Sequence, residues 1–385
     1  MTDPVLVVKD LAVTYTVGAG TFFAVSDVSL EIEPGKVIGI VGETGCGKST
    51  LAKAIPRLLP EPPATIGSGT IVFRGTDLVR VPKRQLPMVR GTGIGMIFQE
   101  PLNSLNPAFR VFDQLAEAIR IRHYREMGWV RSFQGGAQPF DYSKPPNTTT
   151  VASVLSKPIV PGGAAEEAVH DRLATRSQFR EEVLSYLRLV RINDPETILN
   201  LFPHELSGGM RQRVMIAMAL SEKPSLLIAD EPTSALDVTI QAQVLTLMKE
   251  LIDEVHAAIL FISHDLGVIA ETADEIGVMY AGRIVEYGPV AEVFRDPRHP
   301  YTKALLKAAP AHYKSDGPLS SIPGAVPNLS RPPSGCRFHP RCTLARDVCK
   351  GVSPPLAPVD PAAPADSMHI HRSACYFQAE VPGLP

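Results

Sequence analysis

Three groups of residues have the types and spacing to do chemistry. The first, Gly42-Glu43-Thr44-Gly45-Cys46-Gly47-Lys48-Ser49, fits G-x-x-x-x-G-K-[ST] and is followed by Thr50. Glycines in such a loop let the backbone curl until its N–H groups converge on phosphate oxygens, and a following helix adds the positive end of its dipole. Lys48 supplies a charge for the β- and γ-phosphates and Ser49 a hydroxyl for Mg²⁺. Cys46 lies inside this loop, where a thiol invites a redox reading, but a small residue tolerated by the turn is the favoured one. The second group is the apolar run Leu226-Leu227-Ile228-Ala229 ending in Asp230-Glu231. A carboxylate at the end of a buried strand is how phosphoryl-transfer enzymes hold Mg²⁺, here Asp230. Glu231, one residue on, is placed to polarise an attacking water as general base. The third group is Cys336, Cys342, Cys349 and Cys375. Four thiolates suit an iron–sulfur cluster or a tetrahedral zinc ion, and unligated thiols are a third reading. The tight C-x₂₋₄-C knuckles usual for structural zinc are absent.

These groups need elements to position them. Val37 to Val41 is a continuous apolar run, as expected of a central strand buried on both faces, and it leads directly into the Gly42 loop. A helical pattern starts at Thr50. Further buried-strand candidates are Ile94–Phe98, Ser225–Ala229 and Ala258–Ile262, and shorter β-branched runs cover Val5–Val8, Ala12–Tyr15 and Val28–Ile32. Helical patterns fall over Arg211–Ser221 and Val238–Val255. Strands alternating with helices predict a parallel α/β sheet. Two regions depart from that pattern. His123 to Arg172 carries Gly-Gly, Pro-Pro and Thr-rich punctuation and reads as a loop-rich insertion. From Pro289 onward proline density rises, with an extended linker expected over Pro354–Pro364.

With these residues in place the chain resembles the ATPase subunits of ABC transporters. Leu206-Ser207-Gly208-Gly209-Met210 followed by Arg211-Gln212-Arg213 is similar to that family's signature motif. Gln99 in Phe98-Gln99-Glu100-Pro101 resembles its Q-loop, Ser234-Ala235-Leu236-Asp237 its D-loop, and His264 in Ile262-Ser263-His264-Asp265 its switch histidine. Tyr15 stands where the family places an aromatic against adenine. Met210, where the commonest signature has Gln, resembles the peptide-importer branch. Arg298-His299-Pro300-Tyr301-Thr302-Lys303-Ala304-Leu305-Leu306, Ile322–Pro327 and Gly335–Cys342 resemble the extension of oligopeptide, dipeptide and nickel importer ATPases.

The resemblance implies a P-loop NTPase core of RecA-like type, an antiparallel β subdomain, a helical signature subdomain over about 100–205 and a proline-rich C-terminal extension. The boundaries expected are 1–288 for the nucleotide-binding domain, with an insertion over about 123–172, and 289–385 for the extension. It implies hydrolysis of ATP with Mg²⁺, with Glu231, His264 and Gln99 catalytic. Tyr15 and Gly42 through Thr50 (Gly42, Glu43, Thr44, Gly45, Cys46, Gly47, Lys48, Ser49, Thr50) would bind ATP, and Ser49, Gln99 and Asp230 would bind Mg²⁺. Ser207, Gly208 and Gly209 would cover the nucleotide of a second subunit, with Asp237 at the dimer contact. The cysteine spacing is similar to the [4Fe–4S] site of some peptide-importer ATPases, held here by Cys336, Cys342, Cys349 and Cys375. The activity implied is energising import of oligopeptides or dipeptides. An importer of nickel or another small solute is the alternative. Partners implied are two transmembrane permease subunits, a second ATPase subunit that is a paralogue, and an extracytoplasmic solute-binding protein. The place implied is the cytoplasmic face of the cell membrane, bound peripherally.

Composition bounds these readings. The chain of 385 residues has 38 Lys+Arg against 40 Asp+Glu, a net charge of -2. That balance supplies no bulk basic field, so no nucleic-acid partner is expected. No apolar run approaches the roughly 18–20 residues that span a bilayer, and no signal sequence is evident, so an intracellular chain is expected. Of 36 prolines, 16 lie in the last 95 residues, as do four of the five cysteines. A metal cross-link would help so core-poor a segment to hold a shape. His299 is expected to pack locally at the start of a helix, and His339 and His371 to be solvated. A soluble, non-transport ABC ATPase working on DNA or ribosomes is disfavoured, because there is one ATPase unit and no heptad pattern.

Overall fold

The computed structural model describes residues 3–18, 20–91, 93–99, 104–126, 176–232, most of 241–251, 257–308, 322–364 and 367–381. The strands along the chain are β1 (Leu6–Val17), β2 (Gly20–Ile32), β3 (Val37–Val41), β4 (Ala64–Phe73), β5 (Thr76–Asp77) and β6 (Ile94–Ile97). They continue as β7 (Leu226–Asp230), β8 (Ala258–Ile262), β9 (Glu275–Tyr280), β10 (Arg283–Pro289), β11 (Ala357–Pro358) and β12 (Arg372–Ser373). The chain divides into two compact units. One comprises 1–81, 228–231 and 257–385; the other comprises 82–227 and 232–256.

The first unit holds two sheets. An antiparallel sheet runs in the order β2-β1-β4-β5. Val5–Val8 and Ala12–Tyr15, expected as separate strands, belong to the single strand β1. Asp10 adopts φ 49 in its middle and the pairing with β2 shifts register between Val8 and Leu11, which breaks the period-2 signal without ending the strand. The second sheet runs β11-β12-β10-β9-β3-β8-β7. β3 pairs in parallel with both β8 and β9, with Gly39 opposite Phe261 on one side and Ile276 on the other. All five residues of β3, β7 and β8 are buried, which explains their unbroken apolar sequence. β9 then turns antiparallel into β10, and β12 and β11 complete that edge from the C-terminal segment. Arg372 and Ser373 thus pair with Tyr287 and Glu286, so the C-terminal segment is built into this sheet.

The second unit is mainly helical. Its helices Val111–Glu126, Arg176–Leu189 and Gly208–Ser221 bury Leu115 and Ile119, Val183 and Leu187, and Val214, Ile216 and Ala217. His123 is expected to begin the loop-rich insertion, but the helix carries it and runs to Glu126. Its ring lies 2.9 Å from Glu182 Oε2. The rest of that insertion, residues 127–172, lies outside the described residues, as do the D-loop positions Ser234 to Asp237 and much of the Val238–Val255 pattern. Among the described residues no helix is long and apolar enough to cross a membrane.

Candidate active site at the phosphate loop

The loop expected to bind phosphate leaves the end of β3 and enters the helix Lys48–Ala54. Its glycines are required by shape. Gly42 has φ 154, and a Cβ there would lie 2.1 Å from the Met279 carbonyl oxygen. Gly47 has φ 109, and its Cβ would lie 2.3 Å from the Ala24 oxygen. Lys48 is buried, and its Nζ donates to the Gly42 carbonyl at 2.7 Å and the Glu43 carbonyl at 3.3 Å. The ammonium therefore sits inside the curl of the loop. Cys46 is fully buried, and desolvation pushes its thiol above the usual range despite Lys48 nearby.

The strand ends bring the other groups to this loop. Asp230, at the end of β7, accepts from Ser49 Oγ at 2.9 Å. Burial raises the Asp230 carboxyl above its ordinary value, while the Ser49 hydrogen bond opposes the shift. Two hard oxygen donors so placed suit Mg²⁺. Glu231 follows in a left-handed backbone conformation, φ 46, its N–H donating to the Ile262 carbonyl at 3.0 Å. A non-glycine residue at that φ is a local strain of the kind found at working sites. One Glu231 oxygen lies 3.9 Å from Lys48 Nζ and the other 3.3 Å from His264 Nδ1. His264 follows β8, whose Ile262 supplies the carbonyl that holds Glu231. Tyr15 Oη lies 3.4 Å from Thr50 Oγ1, so β1 delivers its aromatic ring to the start of the same helix. Tyr15, the loop, Asp230, Glu231 and His264 thus converge within one unit.

Gln99 and the signature residues belong to the other unit. Gln99 follows β6 and is exposed. Ser207 caps the helix Gly208–Ser221, its hydroxyl accepting from Met210 N–H at 3.3 Å. Ser207 and Gly208 are exposed and Gly209 half-buried, which leaves the N-terminus of this 14-residue helix open to a ligand.

The C-terminal segment contributes residues that sequence reasoning missed. Tyr301 is fully buried, and its hydroxyl accepts from the Glu43 N–H at 2.9 Å. Arg341 grips the Glu43 carboxylate with both Nη atoms. Both lie inside the stretches quoted for the extension, but nothing local marks them as partners of residue 43. His299 packs locally, as expected: it is buried, its Nδ1 accepts from Tyr301 N–H, and desolvation pulls it down to about 3. His371 corrects an expectation of solvation, being buried with Nε2 2.7 Å from Glu286 Oε1. Cys336, Cys342, Cys349 and Cys375 line one small pocket with Phe338 and Phe377. Among the described residues, however, no group of three or more His, Cys, Asp or Glu is placed to hold a metal ion. The arrangement therefore lends no support to the expected [4Fe–4S] cluster or to zinc.

A phosphate loop after a central parallel strand, a carboxylate pair ending a strand of the same sheet and a histidine after the strand between them define a P-loop nucleoside triphosphatase. The chain belongs to the ABC transporter ATP-binding family. The ABC transporter family model matches residues 25–234, and that of the oligopeptide/dipeptide transporter C-terminal region matches 285–349. It is 41% identical to a probable peptide ABC transporter ATP-binding protein, y4tR, of Sinorhizobium fredii, over 99% of this chain and 97% of that one. It is also 41% identical to the oligopeptide transport ATP-binding protein OppD of Bacillus subtilis, over 96% of this chain and 90% of that one. Among solved structures, the dimeric ATP-binding cassette MJ0796 bound to ADP and Pi aligns with a TM-score of 0.55 at 21% identity, over 74% of this chain and 98% of that one. The chain is accordingly an ATP-hydrolysing transporter subunit.

Proposed function

We propose that this subunit hydrolyses ATP to energise import of oligopeptides or dipeptides. The observation that carries the reading is the oligopeptide/dipeptide transporter C-terminal region at residues 285–349, on a chain whose phosphate loop, Asp230, Glu231 and His264 converge. Lys48 and the loop N–H groups hold the β- and γ-phosphate oxygens, Lys48 exchanging its loop carbonyls for them. Ser49 and Asp230 would hold Mg²⁺, which would neutralise phosphate charge, and the family resemblance gives Gln99 the same role. Glu231 takes the proton of the attacking water, and His264 contacts the γ-phosphate. Tyr15 stacks on adenine. Ser207, Gly208 and Gly209 close the site of a second ATPase subunit, with Asp237 at the contact. Phosphoryl transfer asks mainly for such positioning and charge stabilisation. The rest of the complex is two permease subunits and a solute-binding protein, which places this chain peripherally on the membrane's cytoplasmic face. Affinity purification from solubilised membranes tests this: permeases and a second ATPase should co-purify, and ATPase activity should rise with peptide-loaded binding protein. Recovery with ribosomes or DNA alone would refute it.

The finer reading for the four-cysteine pocket is a [4Fe–4S] cluster. It rests on the resemblance of the spacing of Cys336, Cys342, Cys349 and Cys375 alone. Iron and acid-labile sulfide in anaerobically purified protein would bear this out; zinc without iron would end it.

A further inference from the structure

Glu43 is the second residue of the phosphate loop, and its carboxylate has the same sign as the ligand the loop receives. Two residues from the far end of the chain hold it. Arg341, its side chain only 4% exposed, places Nη1 at 2.8 Å and Nη2 at 3.1 Å from the two Glu43 oxygens, a two-pronged ion pair. The guanidinium is itself fixed: Nε donates to the Pro323 carbonyl at 2.8 Å, Nη2 to the Ile322 carbonyl at 3.2 Å, and Nη1 to Tyr280 Oη at 3.3 Å. Tyr301 Oη accepts from the Glu43 N–H at 2.9 Å. Its ring packs on Tyr280 at 4.6 Å and on Phe338 at 5.5 Å between centroids. Side chain and backbone of one loop residue are thus held from residues 258 and 298 positions away. Phe338 also lines the cysteine pocket, and Arg341 immediately precedes Cys342.

We infer that Arg341 and Tyr301 are positioning residues for the nucleotide site. Arg341 neutralises the Glu43 carboxylate beside the bound phosphates, and Tyr301 pins the loop backbone at Glu43. The C-terminal extension thereby sets the affinity of the phosphate loop for ATP. This rests on the ATPase reading. A merely structural arginine and a charge-neutralising one differ in one consequence. If Arg341 acts by cancelling a like charge, removing that charge makes Arg341 dispensable for binding.

The test is the dissociation constant of ATP with Mg²⁺, measured by calorimetry on the purified full-length chain. Arg341→Gln should weaken binding about ten- to thirty-fold, the size of one uncancelled like charge near a protein surface. Adding Glu43→Gln to that variant should restore most of the loss. Tyr301→Phe keeps the buried ring and removes only the acceptor, so it should weaken binding by about threefold, the size of one hydrogen bond. It carries the test if Arg341→Gln does not fold. Parental affinity in Arg341→Gln, or a double variant as weak as Arg341→Gln alone, would overturn the inference while the ATPase reading stands. If the folded parent binds no ATP, both fall.

Discussion

Glu286 offers the sharpest structural test, because one substitution removes the partner of two buried groups and one half-buried group. It is fully buried in β10. Its Oε1 accepts from the Arg298 N–H at 2.5 Å and lies 2.7 Å from His371 Nε2, and its Oε2 accepts from the His299 N–H at 2.9 Å. This carboxylate ties β10 to the entrance of the helix Pro300–Ala308 and to the segment leading into β12. Glu286→Ala leaves those groups unpaired, at about 1–3 kcal/mol for each orphaned buried group. Some relax toward water, so the total should be about 3–6 kcal/mol. Whole domains are stable by only about 5–15 kcal/mol, so the helix should open well before the rest of the chain unfolds. Tyr301 lies in its first turn, so the hydrogen bond from Glu43 should loosen with it. Amide hydrogen exchange reads this directly. A loss of 3 kcal/mol corresponds to about a hundredfold fall in protection, expected over 299–306 and at Glu43. Glu286→Gln keeps a carbonyl acceptor and should lose less. Protection within about twofold of the parent in Glu286→Ala would refute the reasoning.

Glu231→Gln should retain ATP binding and lower turnover in the assembled complex by about 10²- to 10⁴-fold; a parental rate would exclude Glu231 as the base. Gly47→Ala should abolish ATP binding, since its Cβ would meet the Ala24 oxygen at 2.3 Å; calorimetry checks it, and parental affinity would refute the steric argument. Cys46 should resist thiol reagents at neutral pH in the folded chain and react on denaturation, since burial raises its thiol. Because that group ionises less readily folded than unfolded, its contribution to stability is whole below the unfolded thiol's pKa. It is lost as pH rises through the folded one. Rapid labelling of the native thiol would contradict the burial.

What was legible in the sequence was what burial or local chemistry dictates. β3 and β8 match their apolar runs residue for residue, because a central parallel strand covered on both faces admits no polar interruption. The phosphate loop and the Asp230-Glu231 pair were legible for the opposite reason: their backbone shape and charge demand particular residues at fixed spacing. The helix expected from Arg211 begins at Gly208, because two glycines mask its first turn and the start signal is the Ser207 cap. β4 was missed because Gly67 and Gly69 interrupt its β-branched residues, and β9 and β10 because a short antiparallel pair resembles any turn-flanked apolar run. The hold of Arg341 on Glu43 was not legible at all. Charged residues at 43 and 341 are each ordinary surface residues until the fold brings them together.

The C-terminal segment shows how a proline-rich, core-poor stretch holds a shape without a core of its own. The segment borrows the core and the carbonyls of the ATPase sheet. Phe338 and Tyr301 close over Tyr280 at the end of β9. Arg337 donates to the Ala281 carbonyl and, at 2.9 Å, to Ser26 Oγ, and burial pulls its guanidinium down to about 10. Arg283 reaches out from β10 to Ser353 Oγ at 2.6 Å, and β12 pairs directly with β10. Most of these tethers land on residues 280–287, the strands that follow the phosphate-loop strand in the sheet, and two more land on the loop at Glu43. A segment so attached is fixed to the sheet and, through Tyr301 and Arg341, to the phosphate loop at Glu43. Its sequence therefore need not supply a core, only aromatic rings and arginines at the points of attachment.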